Sequence, residues 1–308
     1  MAASRFGHKT LQRTIDLQGH RGARGLYPEN TLGGFVGALA IGVDTLELDV
    51  TLTADGVVVV SHDPLLNPDH TRTAQGVWLE QPGPSIGSML WKDLATYDVG
   101  RLRPGTDYAA QFPDQVPHDG ARIPRLADVL RLDASVALNI ELKSSPAADS
   151  PDGVALAEAV AAVADANGAT SRIIVQSFDW RGPRALRRSR PDIRLAWLTR
   201  STILAEARSW WDGPHPSDYG GSVPRVVAAE GGPLWTPLYS DLTEDGIAEA
   251  HALGLAVIPW TVNQPTDMRR LLIWGVDGLI TDRPDLARPI LLELGLPLPP
   301  QRPIRLGV

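Results

Sequence analysis

Residues 136–178 read VALNIELKSSPAADSPDGVALAEAVAAVADANGATSRIIVQSF. VALNIELK (136–143) is an apolar strand, VALAEAVAAVADANG (154–168) is a helix that Gly168 ends, and RIIVQSF (172–178) is a second strand. The same alternation runs outward in both directions. Upstream, TIDLQGH (14–20) reads as a strand, and residues 30–42 as a helix with Asn30 or Thr31 near its cap and Gly42 at its end. VDTLELDVTLT (43–53) and VVVVSH (57–62) are β-rich runs split by Ala54-Asp55-Gly56, and Asp-Gly is a strong hairpin signal. Downstream, strands at 194–199, 234–239, 255–262 and 277–282 alternate with helices near 181–189, 243–254 and 265–275.

That is about eight strand–helix units, with strands too apolar for a sheet that is wet on one face. Eight such units predict an α/β fold, a (β/α)8 TIM barrel over residues 14–295. A doubly wound sheet is the rival, but GHRGARG (19–25) lacks the GxGxxG spacing of its phosphate loop. Residues 64–123 break the alternation and carry Pro64, Pro68, Pro82, Pro84, Pro104, Pro113 and Pro117. A structureless loop of that length is uncommon in a compact domain, so the segment is expected to be a small inserted subdomain after the second strand. Residues 296–308 read as an extended C-terminal tail.

Composition narrows the function classes. The 308 residues carry 29 Lys and Arg against 36 Asp and Glu, a net charge of −7. That balance argues against general nucleic-acid binding, although a small basic pocket for one phosphate remains compatible with it. The chain has no cysteine, which rules out disulfides, thiolate metal sites and a cysteine nucleophile. No apolar run approaches the ~18 residues of a spanning helix, so no stable membrane insertion is expected. MAASRFGHKT (1–10) has no apolar core of a secretory signal. The expected compartment is therefore the cytoplasm, or the periplasm or exterior if a leader was trimmed.

In a barrel, chemistry collects where the strands end at the C-terminal face. The first strand ends in Gly19-His20-Arg21-Gly22: a histidine able to move protons beside a guanidinium fork suited to phosphate oxygens. The plainer reading is a turn with a surface His and Arg. The second strand places Glu47 and Asp49 on one face, because i and i+2 share a face. Two carboxylates on an apolar strand repel each other unless a cation sits between them, and an all-oxygen donor set suits Mg²⁺ or Ca²⁺. His62-Asp63 closes the next run; Asp63 either orients His62 or caps the turn before Pro64. Glu141 and Lys143 repeat the i, i+2 pattern, as a third oxygen ligand and a phosphate-binding charge or as a salt pair at a wet edge. Trp260 either packs on an alcohol at the pocket rim or belongs to the core, and Thr281-Asp282 is either a further polar strand end or, as Asp282-Arg283-Pro284, only a helix start. His8, His70, His118, His215 and His251 fit no constellation and read as surface or structural. Taken together, three carboxylates, two histidines, an arginine and a lysine at early strand ends make a phosphodiester hydrolysis site.

GHRGARGLYPENT (19–31), ELDVTLTADGVVVVSHDP (47–64) and ELK (141–143), followed in order by QSF (176–178), PWTVN (259–263) and GLITDRP (278–284), resemble the glycerophosphodiester phosphodiesterase family. The resemblance runs from about Asp16 to Pro284. It implies a (β/α)8 barrel with a small insertion after the second strand. It also implies hydrolysis of glycerophosphodiesters, such as glycerophosphocholine or glycerophosphoethanolamine, to an alcohol and sn-glycerol 3-phosphate. By the family pattern His20 and His62 are the acid–base pair, and Glu47, Asp49 and Glu141 hold one divalent cation, Mg²⁺ or Ca²⁺. Arg21 and Lys143 then bind phosphate and Trp260 lines the glycerol side. Attack by a neighbouring glycerol hydroxyl, through a cyclic phosphate, and direct attack by water both fit these residues. The alternative is a lysophospholipid- or sphingolipid-directed phosphodiesterase on the same barrel. It needs an exposed apolar rim, for which Trp91, Trp210 and Trp211 are the candidates. A binding protein without turnover has no use for the pair His20 and His62. An aldolase or isomerase barrel has none for two histidines, Arg21 and Lys143 around one anion.

Overall fold

The computed structural model describes residues 13–147 and 150–304. His8, the decapeptide at 1–10 and the last four residues of the tail lie outside the described residues. Strand β1 (Asp16–Gly19) leads to the helix Leu32–Ile41, then to β2 (Thr45–Leu52) and β3 (Val58–Val60). The remaining strands are β4 (Ala137–Leu142), β5 (Ile173–Ser177), β6 (Arg194–Thr199), β7 (Leu234–Pro237), β8 (Ala256–Val257) and β9 (Gly278–Thr281). Their order is β8-β7-β6-β5-β4-β2-β1-β9, with every neighbour parallel. The two ends of that path meet: Asp277 N donates to Val257 O at 2.8 Å and Ile280 N to Pro259 O at 3.0 Å. The fold is an α/β barrel of eight parallel strands wrapped by helices, as the alternation predicts.

Two expected strands differ in detail. VVVVSH does not enter the barrel; its central residues form β3, antiparallel to β2. Of 255–262 only Ala256–Val257 is a strand, because Pro259 has no N–H to extend the ladder.

Alternation within each strand sorts the side chains. Leu46, Leu48 and Val50 of β2 join the main hydrophobic core with Phe35 and Leu39 of the first helix and with Leu138 and Ile140 of β4. Thr45, Glu47 and Asp49 take the opposite face, inside the barrel. That interior is polar: Asn139 donates to Gln18 at 2.8 Å and Gln176 to Glu47 at 3.3 Å. Register then aligns Asp49 with Glu141 and Glu141 with Gln176 across adjacent strands.

Between β3 and β4 the chain forms only short helices, at Trp91–Leu94 and Asp107–Gln111 among them, around a second hydrophobic cluster. β3 serves both clusters: Val58 and Val60 pack in the main core, and Val59 packs with Leu66, Ile86 and Leu94. Residues 296–304 have no helix or strand but are tied to the barrel's underside. Arg302 N donates to Leu39 O at 2.8 Å, and Arg288 bridges Gly42 O and Pro299 O at 3.0 and 2.7 Å. Among the described residues no helix is long and apolar enough to cross a membrane.

At the same underside Asp44 accepts the Leu17 N–H at 3.1 Å, and burial pushes its carboxyl up to about 6. A carboxyl raised on folding destabilises the native state once it ionises. The cost is absent below the unfolded value near 4, grows as pH rises toward 6, and is complete above it. Asp44→Asn keeps an acceptor for Leu17 and removes the charge. It is expected to stabilise the protein by about 1 kcal/mol at pH 7.5, after discounting for solvent screening, and by much less at pH 4.5. Urea unfolding at the two pH values measures the difference; an equal effect at both would show that Asp44 carries no such cost.

Candidate active site

Strands β2 and β4 bring Glu47, Asp49 and Glu141 together. One oxygen from each lies within 4.8 Å of the others, and all three residues are buried. Burial, followed by the charges of Asp49 and Glu141, raises the Glu47 carboxyl well above the ordinary range. Burial works on Asp49 in the same direction, but the cations Arg21 and Lys143 outweigh it and hold that carboxyl low. Lys143 Nζ sits 2.7 Å from Glu141 and 3.6 Å from Asp49. The Glu141–Lys143 pair therefore forms, but inside the pocket and not at a wet edge. Asp49 Oδ1 is buried with no hydrogen-bond partner among the described residues. An orphaned carboxylate oxygen beside two further carboxylates is what a hard divalent cation would complete, so the donor set fits Mg²⁺ or Ca²⁺.

Each histidine is held by an aspartate. His20 Nδ1 lies 2.6 Å from Asp282 Oδ1, and His62 Nδ1 lies 2.7 Å from Asp63 Oδ1. Asp282 is itself fixed by Arg24 at 3.0 Å and Asn263 at 2.7 Å; burial opposes its charge, and His20 and Arg24 hold it well below the usual carboxylate range. An ionised carboxylate only accepts, so Nδ1 of His20 carries the proton and Nε2 is left with a lone pair. Burial pushes His20 down to about 4, so the ring is neutral near pH 7. Asn67 donates to the second oxygen of Asp63 at 2.7 Å, so Asp63 both meets His62 and ties down the turn after Pro64.

The loop after β1 is built for close approach. A Cβ on Gly19 would stand 2.1 Å from the Gly22 carbonyl oxygen, and Gly22 has φ +91°. Arg21 and Asn30 adopt φ of 49° and 54°, left-handed conformations that side chains other than glycine rarely take. Their contacts hold that strain: Arg21 N donates to Glu47 at 3.0 Å, and Asn30 Nδ2 to Asp49 at 2.9 Å. Arg21 Nη1 reaches Glu29 at 2.8 Å and its Nε stands 3.1 Å from Asp49. Tyr108, from the segment between β3 and β4, donates its hydroxyl to Glu29 and accepts from Arg24 at 3.2 Å.

These groups open onto a cavity of about 690 Å³ lined by His20, Arg21, His62, Glu141 and Lys143. Its far wall includes Phe178 and Trp260, ring centroids 5.4 Å apart and edge to face. Trp260 thus sits half-buried on the pocket wall and donates its indole N–H to Thr236 O at 3.0 Å. All eight sequence-predicted site residues meet here: seven line the cavity and Asp49 lies beneath it, bonded to Arg21 and Asn30. The three tryptophans considered for the rim that the lipid-directed alternative needs do not come together. Trp211 is fully buried, stacked 4.3 Å from Trp180, and Trp91 packs in the smaller cluster, leaving Trp210 alone at the cavity.

Sequence reasoning missed Asp282, Glu29, Asn30, Arg24 and Tyr108. The rule that found His20 and Glu47, polar residues at strand ends, covers Asp282 at the end of β9. A helix does start after Asp282, at Pro284, but the Asp282 carboxylate does not cap it and turns to His20 instead. Glu29 and Asn30 lie on irregular backbone and Tyr108 on the five-residue helix Asp107–Gln111, too short for periodicity to mark which side chains turn inward.

The chain matches the family described as "Glycerophosphoryl diester phosphodiesterase family" over residues 20–286. A glycerophosphodiester phosphodiesterase of Bacillus altitudinis is 31% identical over 286 residues, covering 89% of this chain and 97% of the relative. A crystal structure from Silicibacter pomeroyi, of a protein given the same family assignment, superposes with a TM-score of 0.84 at 40% identity, covering 92% of this chain and 95% of that one. A phosphodiesterase of Oleispira antarctica, solved in complex with the product sn-glycerol-3-phosphate, has a TM-score of 0.67 at 19% identity, covering 90% and 97%. At that identity it shows the shared barrel.

Asp282 is expected to set the tautomer of His20. Nitrogen-15 NMR at pH 7, with the His20 signals assigned by subtracting a His20→Gln spectrum, should show Nδ1 protonated and Nε2 bare. Asp282→Ala should mix the two tautomers. An unchanged tautomer in the variant would mean that Asp282 serves the fold alone.

Proposed function

Because the chain belongs to the glycerophosphoryl diester phosphodiesterase family, we propose that it hydrolyses glycerophosphodiesters to sn-glycerol 3-phosphate and an alcohol, with a divalent cation as cofactor and His20 and His62 as proton carriers. The supporting observation is the meeting, in one cavity, of two aspartate-oriented histidines with a buried triad of carboxylates whose charge Arg21 and Lys143 offset only in part. The carboxylates Glu47, Asp49 and Glu141 would hold Mg²⁺ or Ca²⁺. When bound, such an ion supplies charge that neutralises a phosphoryl oxygen and acidifies a nearby hydroxyl.

This chain's residues do the rest. Arg21 and Lys143 present cationic donors to the phosphate, and both are already placed by their carboxylate partners, so little ordering is left to binding. His20, neutral and with Nε2 bare, takes the proton of the attacking oxygen. His62, a third exposed and farther toward solvent, delivers a proton to the departing alcohol oxygen. Trp260 and Phe178 exclude water from one side of the reacting centre.

Chelator-stripped protein is expected to release glycerol 3-phosphate only after Mg²⁺ or Ca²⁺ is restored. His20→Ala and His62→Ala should each lower kcat by roughly 10²- to 10⁴-fold, the usual contribution of one acid–base group. Metal should also raise the unfolding temperature of the wild type by mass action, and Glu47→Gln should abolish that rise. A Glu47→Gln protein with full turnover and a full thermal response to metal would overturn the assignment.

A further inference from the structure

Four Arg and Lys side chains line the cavity: Arg21, Arg24, Lys143 and Arg200. Three are spoken for. Arg21 pairs with Glu29 and Asp49, Arg24 with Asp282, and Lys143 with Glu141. Arg200 has no carboxylate within 4.0 Å among the described residues, and its Nε is buried without a hydrogen-bond partner. Its guanidinium carbon stands 5.1 Å from the centroid of Phe178. A partly buried guanidinium with an orphaned donor is costly, and one aromatic face offsets only part of that cost.

Position narrows what completes it. Arg200 directly follows β6, and β6 stands four strands from β1 in either direction round the barrel. Arg200 therefore faces the His20 side across the mouth. The phosphate belongs with Arg21, Lys143 and the carboxylates at the ends of β1, β2 and β4, so the wall of Phe178, Trp210 and Arg200 receives the substrate beyond its phosphate. Beyond the phosphate, the glycerol moiety is neutral and common to every glycerophosphodiester. Only the second alcohol can carry an anion to Arg200. Aromatic walls alone would suit a quaternary ammonium, but here the Phe178 face is taken by a cation that repels one.

We propose that Arg200 determines specificity: it selects diesters whose departing alcohol bears a second anionic group, and it disfavours cationic headgroups such as choline. This rests on the phosphodiesterase reading above.

Matched pairs that differ by one anion test it. Glycerophosphoserine is glycerophosphoethanolamine plus a carboxylate. Glycerophosphoglycerol with a phosphate on its free end is glycerophosphoglycerol plus a phosphate. The wild type, loaded with Mg²⁺ or Ca²⁺, should favour the anionic member in kcat/KM by roughly 10- to 100-fold, the range of a charge-assisted hydrogen bond. A preference in one pair alone assigns the anion as carboxylate or as phosphate. Arg200→Gln should bring the ratio toward one, and Arg200→Lys should keep part of it. Arg200→Glu should invert the order and place glycerophosphocholine ahead, a reversal that misfolding cannot produce. A wild-type ratio near one, or equal losses on both members in Arg200→Gln, would overturn the proposal and leave the phosphodiesterase reading standing. Equal losses are what donation to neutral glycerol hydroxyls predicts. Failure of the wild type to hydrolyse any of the five esters with either metal would overturn the reading, and the inference with it.

Discussion

Three carboxylates crowded into one end of a strand barrel repel each other, and much of the surrounding structure exists to tolerate them. Glu47, Asp49 and Glu141 share 4.8 Å of space with little water to screen their charge. The protein meets the strain locally. Arg21 bends into a left-handed conformation to give Glu47 a backbone N–H, Asn30 does the same to reach Asp49, and Lys143 lies against Glu141. These measures are incomplete: Glu47 still has its carboxyl raised and Asp49 keeps an unpartnered oxygen. Such a deficit is what the proposed divalent cation would make good.

The segment between β3 and β4 has a physical part in this. Its Tyr108 hydroxyl is bonded to Glu29, which holds Arg21, and Arg24 links Tyr108 back to Asp282 and so to His20. Gln115 donates to Arg24 O at 2.8 Å, and Asp114 pairs with Arg283 next to Asp282. The segment therefore buttresses the backs of both Arg21 and His20. Its own small hydrophobic cluster, joined to the barrel through Val59, gives these contacts a fixed base.

The cavity is divided by charge. The half made by β1, β2 and β4 holds the carboxylates, Arg21 and Lys143, each cation neutralised by an acid. The opposite half, after β5 and β6, holds aromatic rings and Arg200, which meets no acid among the described residues. Barrel geometry makes this division natural, because each strand end can be varied without disturbing the others.

Periodicity and local chemistry in the chain were enough for the barrel and for a set of candidate site residues that the fold brings together. The alternation of apolar runs with helices marks eight units, and i, i+2 spacing puts Glu47 with Asp49 and Glu141 with Lys143 on single faces whatever the rest of the fold does. Such facts depend only on backbone geometry within one strand. Tertiary structure decided what depends on closure of the ring. Asp282 lies 262 residues from His20 in the chain and meets it only because β9 pairs with β1. Trp211 was a candidate for an exposed rim and is buried, since a helix face is chosen by what packs on it, here Trp180. Arg200 is one of many arginines until the strand order sets it opposite β1, with no acid beside it among the described residues. Strand periodicity acts over two residues and can be read along the chain; charge balance in a cavity is summed over elements that only folding brings together.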